Sequence, residues 1–89
     1  MLDIKEIEKI SKGLANHNRI KILLALDKEP GMTLFNIADE IKAGFRNVSE
    51  HSRKLVAGGL ITKKYKGQAV EHRLTQRGKE ALRFCRMIK

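Results

Sequence analysis

Arg46, Asn47, Ser49, Glu50 and Arg53 are the residues whose types and spacing carry chemistry in this chain. Guanidinium forks, an amide, a hydroxyl and a carboxylate are the groups that hydrogen-bond base edges in a DNA major groove. They lie in AGFRNVSEHSRKLVAGGLI, residues 43–61. Val48, Ser52, Leu55 and Val56 recur there at i, i+4, i+7 and i+8, one face of a helical period. The period predicts a helix over about 45–57, entered through Gly44 and left through Gly58-Gly59, with the polar groups on its open faces. Lys54 joins them as a phosphate contact. A helix-period stretch over 34–41 and a short turn at 42–44 come just before. Together they make a helix-turn-helix pattern in which the second helix does the reading.

Further cations follow. Lys63, Lys64 and Lys66 rise toward Gly67, and Arg73 lies on the returning arm. Val70, His72 and Leu74 alternate with Ala69, Glu71 and Arg73, so residues 60–74 read as a β-hairpin with Gly67 at its tip. Ammonium groups on flexible stems suit phosphates or the minor groove. The same lysines would also keep an open strand from pairing with another chain. Arg19 stands in the first turn of a predicted helix over 18–27, where it either meets a phosphate or stays in water.

Other chemistry finds no support. His17, His51 and His72 fall on separate elements without a fitting Cys or carboxylate cluster, so no enzyme site, metal or cofactor is expected. His51 reads as a packing or hydrogen-bonding residue and His72 as core. The single Cys85 excludes an internal disulfide and reads as a small apolar residue on the last helix.

Several elements must position these groups. Residues 3–14 put Ile4, Ile7, Ile10 and Leu14 on one stripe behind Asp3, with Glu6 at capping-box spacing. Asn16 or Asn18 caps the helix of 18–27, which is apolar over more than one face through Ile20, Leu23, Leu24 and Leu26. Lys28-Glu29-Pro30-Gly31 is a turn, and Met32 supplies a residue or two of strand. Thr33 caps 34–41, whose inward positions are Leu34, Ile37, Ala38 and Ile41. Thr75 caps a last helix with the stripe Ala81, Leu82, Cys85 and Met87 or Ile88. The expected core is Ile20, Leu24, Ile37, Val48 and Leu55. The stripes containing Ile4, Ile7 and Ile10 and containing Leu82, Cys85 and Ile88 exceed what a small domain needs to cover itself. They point to a homodimer.

Length and charge bound the rest. The 89 residues make one domain, 1–89, small enough to gain from a partner subunit. The net charge is +9, and all of it falls in the second half. Residues 1–42 hold seven basic and seven acidic side chains, whereas residues 43–89 hold twelve basic and three acidic. Such clustering is the footprint of a polyanion partner. No apolar run reaches the about 18–20 residues of a membrane span, and no signal-peptide pattern opens the chain, so a cytoplasmic protein without membrane contact is expected.

The predicted order, helix-helix-strand-helix-helix-hairpin-helix, is that of a winged helix-turn-helix domain. Leu14-Ala15-Asn16-His17-Asn18-Arg19-Ile20-Lys21-Ile22-Leu23 resembles the opening of the second helix in the ArsR-type family of prokaryotic transcription regulators. Val48-Ser49-Glu50-His51, Leu55 and Gly59-Leu60-Ile61 resemble that family's recognition-helix pattern, and the register carries through Gly67 and Arg73-Leu74. The resemblance covers about residues 14–75 and implies pairing through the terminal helices. The chain also departs from the pattern. Lys42 stands where a helix-ending Gly is usual, Ser52 takes an inward position that is normally Leu, and Phe45-Arg46 replaces a polar pair. The family's metal sensors carry Cys pairs in the helix of 34–41, or His and acidic ligands in the last helix. This chain has neither Cys nor His in 34–41 and no His after His72.

The expectation is a mainly α winged helix-turn-helix fold, a three-helix core plus wing flanked by terminal helices. Its expected function is sequence-specific binding of double-stranded DNA in transcription regulation. One alternative is a winged helix used for protein interaction, against which the charge argues, since a docking surface needs an apolar centre. The other is sequence-independent nucleic-acid binding; with only Tyr65 and three Phe, stacking on single strands is disfavoured.

Overall fold

A computed structural model describes residues 3–87. The elements are α1 (Ile4–Leu14), α2 (His17–Lys28), α3 (Leu34–Ile41), α4 (Phe45–Ala57), β1 (Ile61–Lys66), β2 (Ala69–Leu74) and α5 (Gln76–Met87). Local capping starts the helices where the sequence placed them. Asp3 Oδ1 accepts from Glu6 N at 2.8 Å, Asn16 Oδ1 from Asn18 N at 2.9 Å, Thr33 Oγ1 from Asn36 N at 3.3 Å and Thr75 Oγ1 from Gly78 N at 3.0 Å. The reciprocal half of the α1 capping box is absent, because Glu6 turns its carboxylate to Arg77 at 3.0 Å.

Helices α2, α3 and α4 surround a core that includes Ile22, Leu23, Leu26, Ile37, Val48 and Leu55, closed by Leu60, Ile61 and Leu82. Ile37, Val48 and Leu55 are buried as expected, but two expected members are not. Leu24 is 42% exposed and Ile20 only half-buried. Because α2 is apolar on several faces, periodicity could not fix its rotation about its own axis. Ile22, Leu23 and Leu26 take the inward face instead.

Strands β1 and β2 form an antiparallel hairpin, registered Ile61 to Leu74, Lys63 to His72, Tyr65 to Val70 and Lys66 to Ala69. Met32 adds one bridge, with His72 N donating to Met32 O at 3.0 Å and Gly31 N to His72 O at 2.9 Å. This ties the root of the hairpin to the segment before α3.

Two helix ends aim the functional elements. Helix α4 ends in a Schellman motif: Gly59, at φ 74°, donates to Val56 O at 2.9 Å, and Leu60 N donates to Leu55 O at 3.0 Å. The left-handed residue turns the chain directly into β1. Helix α5 then locks this corner, with Thr75 Oγ1 donating to Gly59 O at 2.6 Å. A Cβ on Gly78 would run into the Leu60 carbonyl, so that contact requires glycine. Among the described residues, no helix is long and apolar enough to cross a membrane.

Candidate nucleic-acid interface

Helix α4 buries Val48, Ser52 and Leu55 and leaves Arg46, Asn47, Glu50, Arg53 and Lys54 exposed, with Ser49 half-buried. All five side chains expected to read bases therefore lie on one helix whose inner face is anchored in the core. Arg53 Nη2 donates to Glu50 Oε2 at 2.9 Å, an i, i+3 pair on the open surface. The hydrogen bond from Arg53, and then its charge, lowers the pKa of Glu50, so this carboxylate stays ionised between its cationic neighbours. Arg46 carries no such partner among the described residues.

The hairpin stands beside α4. Lys63, Lys64 and Lys66 are exposed and, like Lys54, form no ion pair among the described residues. Their charges remain uncompensated. The antiparallel register splits them between faces: Lys63 lies with His72 and Tyr65 on the side toward α4, whereas Lys64 and Lys66 lie on the other side with Glu71 and Ala69. Arg73 sits on that outer side and contacts Glu71 at 3.4 Å.

Arg19, expected either to meet a phosphate or to stay in water, is half-buried and bonded within the protomer. Its Nη1 donates to Lys12 O at 2.6 Å and its Nε to His51 Nδ1 at 3.2 Å. It fastens the end of α1 and the start of α2 to α4. His51 is the hydrogen-bonding residue expected of it. As acceptor its Nδ1 must be unprotonated, and burial, followed by the charges of Arg19 and Lys54, pushes its pKa down. His72 is 2% exposed and donates from Nδ1 to Met32 O at 3.0 Å, a core histidine as expected.

Sequence reasoning missed an aromatic pair. Phe35 and Phe45 bracket the turn between α3 and α4, their rings stacked at a centroid distance of 4.6 Å. Phe35 is 73% exposed, and Phe45 stands exposed at the start of the reading helix. The available signal was an aromatic at the outward position of each helix start. In the turn itself Lys42 adopts φ 58° and ψ 45°, the left-handed conformation that the usual glycine would take there.

The pairing residues expected on the terminal helices divide. Ile4 and Ile7 are 76% and 51% exposed, while Ile10 is half-buried against the core. Leu82 is a correction: at 2% exposure it belongs to the protomer's own core. Phe84 and Met87, three residues apart on the opposite face of α5, are exposed instead. Cys85 is half-buried, and Ile88 lies outside the described residues. Among the described residues no group of His, Cys, Asp and Glu could hold a metal ion.

The fold is shared with solved structures of transcription regulators. The chain matches a homodimeric winged helix-turn-helix DNA-binding domain from Mycobacterium bovis, described as a possible ArsR-family regulator, at 22% identity and TM-score 0.80, covering 96% of this chain and 76% of that one. It matches HlyU from Vibrio cholerae at 20% identity and TM-score 0.79, covering 94% and 92%. The repressor BigR from Xylella fastidiosa matches at 15% identity and TM-score 0.77, covering 96% and 88%. A family model described as winged helix-turn-helix DNA-binding matches residues 16–62, more than half of the chain. That match runs from the cap of α2 through the reading helix into the wing, and the chain belongs to the winged helix-turn-helix DNA-binding family.

Proposed function

We propose that this protein is an ArsR-type transcription regulator that binds double-stranded DNA as a two-fold dimer. Membership in a DNA-binding family assigns it binding rather than catalysis. The observation that carries the reading is the surface of α4, where Arg46, Asn47, Glu50 and Arg53 project from a helix anchored by Val48 and Leu55. In the major groove Arg46 and Arg53 suit guanine O6 and N7, Asn47 suits adenine, and Glu50 accepts from cytosine N4 or holds Arg53 in place. Ser49 reaches either kind of edge. Phe45 adds apolar surface fitted to a thymine methyl. Lys54, Lys63, Lys64, Lys66 and, more weakly, the Glu71-paired Arg73 meet phosphates.

A resident metal or cofactor has no role in this reading, and a cytoplasmic location accompanies it. Pairing rests on Ile4, Ile7, Phe84 and Met87, apolar side chains left open at the terminal helices. The Mycobacterium bovis domain, described as homodimeric, supports pairing as such. Selection from a random duplex pool tests the proposal. It should yield an inverted repeat with half-sites roughly 34 Å apart, one helical turn; recovery of no preferred sequence would reject sequence-specific reading.

A further inference from the structure

Two of the chain's three phenylalanines meet at the turn between α3 and α4. Phe35 and Phe45 stack at 4.6 Å between centroids and 27° between planes, yet stay 73% and 44% exposed. Neither belongs to the core, which α3 and α4 supply through Ile37, Ile41, Val48 and Leu55. Rings left in water forgo the burial that stabilises a fold, and stacking recovers only the faces turned to each other. The stack also restricts where the Phe45 ring can stand. Phe45 is the first residue of α4, and the N-terminal residues of a reading helix are those that meet base edges. Arg46 follows it directly, and Ser49 lies one turn on along the same flank. A Cβ on Gly44, just before, would touch nothing within 4 Å, so the approach to the helix start is open there. A protein partner is too large an occupant for this patch. Two rings of about 150–250 Å² each fall short of the roughly 800 Å² per side that a stable protein interface covers. Exposed Asn36, Lys42 and Arg46 flank the rings in the chain with polar groups. The apolar feature that a major groove does offer is a single methyl group, at C5 of thymine.

We propose that Phe45, held by Phe35, reads one pyrimidine C5 methyl in each half-site, preferring thymine to uracil and 5-methylcytosine to cytosine. The inference rests on the DNA reading of α4 above and extends it from the type of base to a single substituent. Thymine and 5-methylcytosine carry the methyl at the same ring position, toward the major groove, where uracil and cytosine present only C5–H. Covering one methyl with an aromatic ring corresponds to about a three- to tenfold change in affinity. Phe35 acts through Phe45 and is a positioning residue. The contact is apolar and neutralises no phosphate, so it adds nothing to the salt dependence of binding.

Duplexes recovered by selection test this when each thymine is replaced in turn by uracil, which removes the methyl and keeps every hydrogen-bonding group. One position per half-site is expected at which uracil weakens binding by about three- to tenfold, with smaller changes elsewhere. Cytosine placed at that position should bind better by a similar factor once it is 5-methylated. Phe45→Ala should erase the preference for thymine there and leave the slope of log K against log salt unchanged. Phe35→Ala should reduce the same preference, whereas a merely structural loss would weaken thymine and uracil duplexes equally. Equal binding of thymine and uracil duplexes at every position would overturn the methyl reading and leave sequence-specific binding standing. So would a thymine preference that survives undiminished in Phe45→Ala. A thymine preference with no gain from cytosine methylation would reject the reading of 5-methylcytosine alone. Selection that recovers no preferred sequence would fail the DNA reading, and the methyl reading with it.

Discussion

Arg46 and Arg53 lie two turns apart on the same helix but differ in freedom. Arg53 is held by Glu50 at 2.9 Å, whereas Arg46 has no ion pair among the described residues. Replacing either by alanine should cost about 1–3 kcal/mol at the preferred duplex and relax its sequence. Lys64→Ala should instead weaken all duplexes alike and flatten the salt dependence. Affinities for matched and scrambled duplexes separate the two behaviours; sequence-blind losses for both would mean that α4 does not read bases. His51 provides a test at the same scale through pH. Its folded pKa lies below the ordinary 6.5, so the unfolded chain takes up a proton first as pH falls. The contribution of His51 is therefore complete above pH 6.5 and is lost as pH drops toward its folded pKa. Protonation of Nδ1 would also break the bond from Arg19. Urea unfolding between pH 7.5 and 5 should show a loss of stability that His51→Gln reduces.

Elements show where a local rule is broken and what that costs. Lys42 takes the left-handed conformation at the end of α3, which disfavours a side chain by roughly 1–2 kcal/mol. Lys42→Gly should accordingly stabilise the fold by about 0.5–1 kcal/mol, after the entropy glycine adds to the unfolded chain. A change in urea midpoint at constant slope would measure it. The terminal helices carry a sharper contrast. Ile7→Glu places a charge on an exposed apolar residue and should yield folded monomers with most DNA affinity lost. Leu82→Glu buries an unpaired charge in the core and should unfold the protomer. Sedimentation and circular dichroism distinguish these outcomes, and a wild-type monomer at tens of micromolar would reject pairing.

At the scale of the whole molecule, what could be read from the sequence was whatever depends on near neighbours. Asp3, Asn16, Thr33 and Thr75 cap within three residues of themselves, so helix starts were legible. The alternation of Val70, His72 and Leu74 likewise revealed the inner face of β2. Rotations of whole helices were not legible. Leu24 and Ile22 are both apolar, and only packing against α3 and α4 decides which is buried; Leu82 and Phe84 pose the same ambiguity on α5. Arg19 could not be placed because its partners, Lys12 and His51, come from two other helices. Ser52 was legible as a hydroxyl at an inward helix position, but not that it would lie there 4% exposed with no hydrogen-bond partner among the described residues. The candidate interface survives these corrections because its cations are exposed whatever the fine packing. Its central claim is that this uncompensated surface binds duplex DNA, and the salt dependence of duplex affinity tests that most directly. With about four to six phosphates neutralised per protomer, log K against log salt should fall with a slope of roughly −4 to −5. A flat response, or tighter binding to single strands than to duplex, would contradict it.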